Sequence, residues 1–405
     1  MCGLTACQFA SARTDLLYRC EADGGCPREL VCSTRAETAG FCVPLDGGTA
    51  DGGPLDGGAA DGGAADAGQL DGGPIDAGKL DGGGPVVVFD LIFDNSDGGS
   101  LDGFPVLVAI DRDLLSVSDP SSELRFFDPD TQADLPFQID SWNPTGESTI
   151  WVRVPNLAPG TADRITLFAG PGAGGHEDAT GKSVFGAYAG VWHLGPSALT
   201  DSSGSGHDAV AIGASPDAGH IGGALRFLPP GDQHVEFDGG QVLFDGWAAF
   251  SLELWLRADY AMLMGSMPEG GVLNKGGGIN LGRVFATGGP GSRSLLFQTD
   301  MHFASTESCF LNADLPLRTW TWFVYTFDGH SVVMYADGVE VNRFTSTHAS
   351  TALVSDQGQF ILGSPGSPIN GSIDEVRISR TALSPKWLLA QHRSMTRRLI
   401  SFVRR

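Results

Sequence analysis

Three short runs of β-forming residues within 320–344 constrain the fold more than any other stretch of this sequence. They are rich in Val, Tyr, Phe and Trp and cover residues 320–327, 331–336 and 339–344. An Asp-Gly pair separates each run from the next, and such a pair is a strong hairpin signal because glycine adopts a positive φ without steric cost. The stretch therefore predicts an antiparallel meander. Large side chains on both faces of its first strand predict a central position in a β-sandwich.

The same stretch resembles the middle of laminin-G-like, concanavalin A-like jelly rolls. Matching motifs follow the family's order on both sides: Val191-Trp192-His193-Leu194, Asp201-Ser202-Ser203-Gly204, Gly222 to Phe227, Phe250 to Trp255, and Gly371 to Ile378. The resemblance implies a jelly roll over residues 191–392. It implies a fold rather than one function, since this fold hosts lectins, glycosidases and plain adhesion modules.

A second β-rich unit is predicted over residues 86–176. Five short runs bounded by Asp, Pro and Gly are typical of strands, at 105–110, 124–127, 135–139, 150–154 and 164–168. The runs from Glu123, Leu135 and Ile150 resemble a bacterial domain of unknown function that adjoins laminin-G-like jelly rolls in cell-surface proteins. The predicted fold class is all-β, with two β-sandwich modules.

The charge of the chain argues against nucleic-acid binding. A net charge of −23 is the opposite of the basic face that phosphates require. No apolar run approaches the ~20 residues of a membrane span. Residues 393–405 hold five Arg and no acid. They are predicted to be a basic tail, either a terminal helix or a frayed end; the alternative is contact with an anionic membrane surface.

Residues 1–44 form a cysteine-rich segment with too little apolar content for a core of its own. Two disulfides are predicted among Cys20, Cys26, Cys32 and Cys42, with three possible connectivities. A zinc site is the alternative, although the spacing lacks a close cysteine pair. Cys309 lies far from this segment and is interpreted as a buried small hydrophobe.

Leu4-Thr5-Ala6-Cys7 resembles a bacterial lipobox, in which the cysteine is lipidated after signal cleavage. Cys7 is therefore the predicted lipidation site, and Cys2 is a second candidate. Only six residues precede Cys7, so the true start of translation is expected to lie upstream. The alternative is that Cys2 and Cys7 form a third disulfide. The predicted location is the cell envelope, as an outer-membrane lipoprotein, or the exterior as a secreted protein.

Residues 45–85 are predicted to be a disordered linker. An Asp recurs every five residues from Asp46 to Asp81, mostly as D-G-G-x-x. The calcium-binding β-roll repeat has a period of nine and an apolar residue in each turn, so this repeat does not indicate calcium. A glycine-rich, like-charged segment cannot form a core and favours an extended tether.

Two glycine motifs lie between the predicted sandwiches. Residues 170–175 match G-x-G-x-x-G but lack the helix of a dinucleotide fold. Residues 175–183 are close to the phosphate-binding loop motif, but one residue too many separates Gly175 from Gly181. Neither indicates nucleotide binding, and residues 177–190 are predicted to be an interdomain linker.

The sequence predicts no enzymatic activity. Glycosidases of this fold resemble one another in a strand bearing alternate acids, E-x-D-x-E or E-x-D-x-x-E, and no such run is present. Glu236 and Asp238 share a face but glycines follow them. Asp374 and Glu375 are adjacent and are therefore expected on opposite faces. A divergent glycosidase remains one alternative.

The resemblance also implies one structural Ca²⁺, held between a D-x-S-G loop and an Asp of the last strand. Asp201 and Asp374 are the matching positions. The alternative is that Asp201 caps a turn and that Asp374 is a buried, hydrogen-bonded carboxylate.

The predicted function is a non-enzymatic binding or adhesion module, with an extracellular glycan or a surface protein as partner. The only expected membrane contact is the N-terminal lipid. Residues 260–280 are the least strand-like part of the jelly roll and are a candidate rim for a glycan. The eight Trp lie mostly in strand patterns, where packing in the core is the default. A purely structural envelope protein is the other alternative.

Overall fold

The computed structural model describes residues 30–32, 42–44, 86–111, 117–195, 199–228, 231–259, 269–275, 280–286, 295–302, 308–348, 358–365 and 369–405. The chain forms two compact units, Met1–Lys79 and Leu80–Arg405. Within the described part, no helix is long and apolar enough to cross a bilayer.

In the first unit, the described residues form an antiparallel pair of strands, β1 (Leu30–Cys32) and β2 (Cys42–Pro44). The register places Cys32 opposite Cys42. Cys2, Cys7, Cys20, Cys26 and the predicted linker lie outside the described residues.

The second unit consists almost entirely of strands. The first part contains β3 (Val87–Phe93), β4 (Leu101–Asp111), α1 (Pro120–Glu123), β5 (Leu124–Asp128), β6 (Ala133–Leu135), β7 (Phe137–Ser141), β8 (Glu147–Leu157), β9 (Arg164–Ala169) and α2 (Lys182–Phe185). Next come β10 (Gly190–Trp192), β11 (Ala209–Ile212), β12 (Ser215–Ala218), β13 (Gly223–Phe227), β14 (Gln233–Phe237), a single 3-10 turn (Gly240–Val242), β15 (Phe250–Ala258), β16 (Glu269–Lys275), β17 (Asn280–Ala286), β18 (Leu295–His302), β19 (Ser308–Leu315), β20 (Thr321–Phe327), β21 (Ser331–Ala336), β22 (Val339–Thr345), β23 (Phe360–Ser364) and β24 (Gly371–Ser379). The last elements are α3 (Pro385–Met395) and β25 (Ile400–Arg404).

The first sandwich has a five-stranded sheet, β25-β3-β9-β5-β6, and a three-stranded sheet, β4-β8-β7. Its core is filled by alternate side chains of these strands, among them Phe104, Phe126, Phe137 and Leu167. Four of the five predicted runs each lie on a single strand of this sandwich; the run 135–139 is divided at Pro136 between β6 and β7, which belong to different sheets.

The basic segment 393–405 begins within the terminal helix α3, one of the two predicted forms, and is not a frayed end. Residues 400–404 form β25, which pairs along its length with β3 at the edge of the first sandwich. The arginines here pair with acids of that sandwich: Arg393 with Asp97 at 2.8 Å and Arg405 with Asp90 at 2.6 Å. The alternation of Ile400 and Phe402 with polar residues lets this strand add two apolar side chains to the core.

The jelly roll has two stacked antiparallel sheets. The sheet that we call the inner sheet has the order β12-β13-β24-β15-β20-β21-β22, with β10 also paired to β24. The outer sheet has the order β11-β14-β23-β16-β17-β18-β19. Apolar side chains of both sheets fill the space between them, including Trp192, Phe237, Leu254 and Phe360.

The predicted meander is confirmed as β20, β21 and β22. Every residue of β20 is buried, as expected for a strand between β15 and β21. In the second turn Asp337 and Gly338 both have positive φ, as the hairpin signal predicts. In the first turn the Asp328 carboxylate accepts hydrogen bonds from the backbone N–H groups of His330 and Ser331.

Segment 177–190, the predicted interdomain linker, is folded and packed between the sandwiches. It contains α2, and its side chains Val184, Phe185 and Tyr188 are buried. Helix α3 has Ser384 as its N-cap and Pro385 in its first turn, and the N–H of Trp387 donates to Ser384 Oγ. Leu388 and Met395 of this helix are buried against the inner sheet. Both segments therefore fill the space between the sandwiches.

Candidate functional site: a buried ionic junction between the two sandwiches

The outward face of the inner sheet is covered by the first sandwich and α3. We call this contact the junction. Its apolar part is a single cluster of buried side chains, drawn from β4, β8, α2, the inner sheet and α3: Leu107, Trp151, Val184, Phe185, Tyr188, Val191, Ile221, Trp255, Trp322, Val324, Val333, Tyr335, Leu388 and Met395. Ionisable side chains from both sandwiches lie within it. They make the junction the most chemically distinctive place in the described part of the chain.

His193 is the central polar residue of the junction. It follows β10 and is 2% exposed. Its Nδ1 lies 2.7 Å from Glu375 Oε1 and 4.0 Å from Asp140 Oδ1, and its Nε2 lies 3.2 Å from Gln138 Oε1. Gln138 donates from its amide nitrogen to Ser202 Oγ, so its Oε1 is the acceptor and His193 Nε2 carries a proton. Burial lowers the pKa of His193, but the neighbouring Glu375 carboxylate outweighs it and the net pKa is raised.

Asp140 reaches this histidine from β7 of the first sandwich. Its Oδ2 accepts a hydrogen bond of 2.7 Å from the hydroxyl of Thr149 on the adjacent strand β8. Burial raises the pKa of Asp140 to about 6, with His193 opposing that shift and Glu375 adding to it. This carboxyl therefore changes its proton occupancy near neutral pH.

A β-bulge brings Asp374 and Glu375 to the same face of β24. Pairing with β15 advances two residues from Glu253 to Trp255 while β24 advances three, so β24 has one extra residue here. Glu375 has a φ of 52°, an uncommon conformation for this residue type. Ile373 and Val376 both belong to the jelly-roll core, which leaves the two acids between them facing the junction. The prediction that adjacent acids point to opposite faces is thus wrong, because strict alternation fails at a bulge.

Glu375 and Arg377 form a fully buried ion pair. Arg377 Nη2 lies 2.6 Å and Nε 3.1 Å from Glu375 Oε2. The guanidinium also stacks 4.1 Å from the ring centre of Trp151, which belongs to β8. Burial alone would raise the pKa of Glu375. The neighbouring His193 and Arg377 outweigh burial and lower this pKa to about 2. Glu375 is therefore ionised at neutral pH.

Glu253 of β15 lies beside this pair and is tied to α3. Its Oε2 accepts a hydrogen bond of 2.6 Å from Gln391, whose own Oε1 accepts from Trp387 Nε1 at 2.8 Å. Its Oε1 has no hydrogen-bond partner. Burial raises the pKa of Glu253 to about 7, against the opposing effect of Arg377.

The predicted calcium ligands each make hydrogen bonds of their own. Asp201 Oδ1 accepts from the N–H groups of Val191 and Ser203, and its Oδ2 accepts from His207. Asp374 Oδ2 accepts from the N–H of Ile221, and burial raises its pKa well above the usual range. Among the described residues, the side chains whose potential metal-ligand atoms converge are those of Asp140, His193 and Glu375. Neither Asp201 nor Asp374 belongs to this group. A Ca²⁺ at Asp201 and Asp374 stays a prediction.

The remaining candidates are the tryptophans, three of which (Trp151, Trp255 and Trp322) lie in the junction, the rim 260–280 and Cys309. Five of the eight Trp are buried and three are half-buried, so the expectation of core packing holds and no Trp is an open platform. Of the candidate rim 260–280, residues 269–275 form β16, which lies between β23 and β17 in the outer sheet, and residue 280 begins β17; residues 260–268 and 276–279 lie outside the described residues. Cys309 is buried, as predicted.

Comparison with protein families identifies the modules. The fold defines a jelly roll joined to a smaller β-sandwich. Residues 229–388 match the family described as the concanavalin A-like lectin/glucanases superfamily, and residues 120–191 match a domain of unknown function (DUF2341). Both matches confirm the resemblances found in the sequence. The comparison with curated proteins gave no match.

Several solved structures are similar to part of this chain. The binding domain of Paraclostridial Mosquitocidal Protein 1 is 12% identical, with a TM-score of 0.42; the match covers 51% of this chain and 52% of that one. The receptor binding domain of botulinum neurotoxin D is 12% identical, with a TM-score of 0.39 and the same coverage. Domain 4 of AbnA, an extracellular arabinanase from Geobacillus stearothermophilus, was solved with arabinotriose; it is 19% identical, with a TM-score of 0.37, over 50% of this chain and 96% of that one. The chain thus spans about half the length of the toxin domains that it matches.

Proposed function

We propose that the protein is a non-catalytic binding protein of the bacterial cell surface and that its jelly roll recognises a glycan through the outer sheet. The observation that carries this proposal is the unequal exposure of the two sheets. The central strands of the inner sheet are covered by the first sandwich and α3, and only its edge strands β12 and β22 are exposed, whereas described positions of the outer sheet are open to solvent. A ligand can therefore reach the outer sheet but not the central strands of the inner sheet.

The arrangement of the acids supports a non-catalytic role. A glycosidase needs two carboxyl groups on either side of a substrate in an open groove. The carboxylates that β15 and β24 bring together, Glu253, Asp374 and Glu375, are each at most 1% exposed. They lie beneath the first sandwich, where a sugar cannot enter without separating the two modules.

On the outer sheet, Phe310 is the candidate stacking residue. It is 60% exposed, and among the aromatic side chains whose exposure the structure describes it is the one that is mostly open to solvent. Its strand β19 alternates between buried and exposed residues, which places Asn312 and Asp314 on the same exposed face. An aromatic ring can stack on the apolar face of a sugar while the amide of Asn312, about 7 Å further along, and the carboxylate of Asp314, about 14 Å along, bind hydroxyl groups.

A glycan array with the purified protein tests this function. We expect binding to at least one glycan class, and a loss of tenfold or more in affinity for Phe310→Ala. Val210→Ala is the matched control, since Val210 is an equally exposed apolar residue on the outer sheet at 63%. Binding that survives Phe310→Ala would move the site elsewhere on the jelly roll. Silence across all glycans would favour a structural envelope protein.

The surface location follows from the N-terminal sequence. A lipid on Cys7 and the acidic tether at 45–85 would hold the sandwiches away from the membrane. Mass spectrometry of the mature protein tests this part separately: a diacylglyceryl-modified Cys at the N-terminus is expected. An unmodified Met1 in the mature chain would contradict the lipid anchor.

A further inference from the structure

Three donor atoms of the junction converge on one point. They are Asp140 Oδ1, His193 Nδ1 and Glu375 Oε1, and all lie within 4.8 Å of one another. Two ligands of one zinc ion, each at about 2.0–2.2 Å from the metal, lie roughly 3–4 Å apart. The measured separations of 2.7 Å and 4.0 Å from His193 Nδ1 bracket that range.

The far side of each of these three residues is held by a neighbour. His193 Nε2 donates to Gln138 Oε1, Asp140 Oδ2 accepts from Thr149, and Glu375 Oε2 accepts from Arg377. Protein metal sites orient their ligands in this way, since the outer hydrogen bonds fix the tautomer of the histidine and the rotation of the carboxylates. The converging atoms face one another: His193 Nδ1 and Glu375 Oε1 share a hydrogen bond of 2.7 Å, and a cation that binds there takes the place of the bridging proton.

The surroundings are short of positive charge. Four buried carboxyl groups, those of Asp140, Glu253, Asp374 and Glu375, interact with only two guanidinium groups, Arg377 and Arg397. Asp374 is 0% exposed, and its Oδ1 has no hydrogen-bond partner although it lies one residue from Glu375. A buried carboxyl oxygen without a hydrogen-bond partner is costly, and a divalent cation at the adjacent site would place a positive charge beside it.

We propose that Asp140, His193 and Glu375 bind one divalent transition-metal ion, with zinc as the best match, which staples the two sandwiches together. An imidazole with carboxylates suits zinc and its neighbours, whereas Ca²⁺ prefers a shell made entirely of oxygen. Asp140 belongs to the first sandwich while His193 and Glu375 belong to the jelly roll. The ion thus has a structural role that is independent of glycan binding.

Metal analysis of the full chain tests the proposal. The protein is incubated with a small excess of ZnCl₂, desalted and analysed by mass spectrometry of elements, and about one zinc per chain is expected at this site. His193→Gln and Asp140→Asn should each lose that zinc, a drop of tenfold or more. His234→Gln is the matched control: His234 is also buried and also paired with two acids, Asp232 and Glu236, but on the outer sheet. Its zinc content should equal that of the wild type.

The cobalt-loaded protein separates this site from the N-terminal cysteines. Nitrogen and oxygen ligands give Co²⁺ visible bands without the near-ultraviolet thiolate band that cysteine ligands add. We expect bands without thiolate character that vanish in Asp140→Asn. Equal metal content in wild type and both variants, or a wild type without zinc, would overturn the proposal. His193 would then be an imidazolium, and hydrogen bonds alone would hold the junction.

Discussion

The guanidinium of Arg377, on a strand of the jelly roll, lies 4.1 Å from the ring centre of Trp151, on a strand of the first sandwich. The same guanidinium neutralises Glu375 in a place with no solvent. The two modules therefore share one buried ionic network, and we expect them to unfold in a single transition.

Arg377→Met should lower the free energy of unfolding by about 3–5 kcal/mol, because it leaves the buried charge of Glu375 unpaired. Urea denaturation followed by Trp fluorescence measures this loss. Arg343→Met is the matched control; Arg343 pairs with Glu340 on the surface, where both side chains are more than 40% exposed, and the loss should stay below about 1 kcal/mol. Adding Glu375→Gln to Arg377→Met should restore part of the stability. No recovery in that double variant would contradict the charge explanation.

Glu253→Gln should change how stability depends on pH. The pKa of Glu253 rises from its usual 4.5 to about 7 in the folded state. A folded-state pKa above the unfolded value means that stability is fully present below about pH 4.5 and is lost as pH rises through about 7, by roughly 3 kcal/mol. The variant should lack this component and be more stable than the wild type at pH 8. If stability depends on pH in the same way in the wild type and in Glu253→Gln, the raised pKa of Glu253 is refuted. Glu236→Gln, which changes an exposed acid, is the control and should keep the pH dependence of the wild type.

A chain ending at Arg398 should lose much of the stability of the first sandwich. It lacks β25 and the buried Leu399, and the loss should be at least about 3 kcal/mol, the cost of removing one large core side chain. Thermal unfolding and limited proteolysis both report this change. Arg405→Ala, which removes only a half-exposed ion pair with Asp90, should cost less than about 1 kcal/mol. A truncated chain as stable as the full one would show that β25 is dispensable.

The hairpin of β1 and β2 favours one disulfide connectivity. Directly opposed residues of an antiparallel pair have Cα atoms about 4.5–5.5 Å apart, which suits a disulfide. The register therefore predicts a bridge between Cys32 and Cys42, leaving Cys20 for Cys26. Peptide mapping without reduction should find Cys32 linked to Cys42. A peptide joining Cys20 to Cys32 would exclude this arrangement.

Much of the fold could be predicted because it rests on local signals. The Asp-Gly turns and alternating β-formers of 320–344 specify neighbouring strands, and Ser384-Pro385 specifies a helix start. The role of 400–404 could not be found this way. Its partner β3 lies some three hundred residues earlier, and nothing in a five-residue run states which distant edge it will join.

The junction was beyond sequence reasoning for a different reason. Asp140 and His193 both stood in the motifs that carry the family resemblances, but those motifs describe separate modules. Alternation along a strand predicts that Glu375 and Asp374 point to opposite faces, and one extra residue in β24 reverses that rule locally. A bulge depends on how two strands pair, so a single strand's sequence does not reveal it.

The return of β25 to β3 has a consequence for how the protein is made. Proteins emerge from the ribosome and through export channels from the N-terminal end, and a domain whose strands are all available folds at once. Here the first sandwich lacks an edge strand until residues 400–404 have been delivered, some two hundred and thirty residues after β9. The edge of β3 therefore stays unpaired while the whole jelly roll is synthesised. During this interval the nascent chain is most vulnerable to pairing with a neighbouring copy.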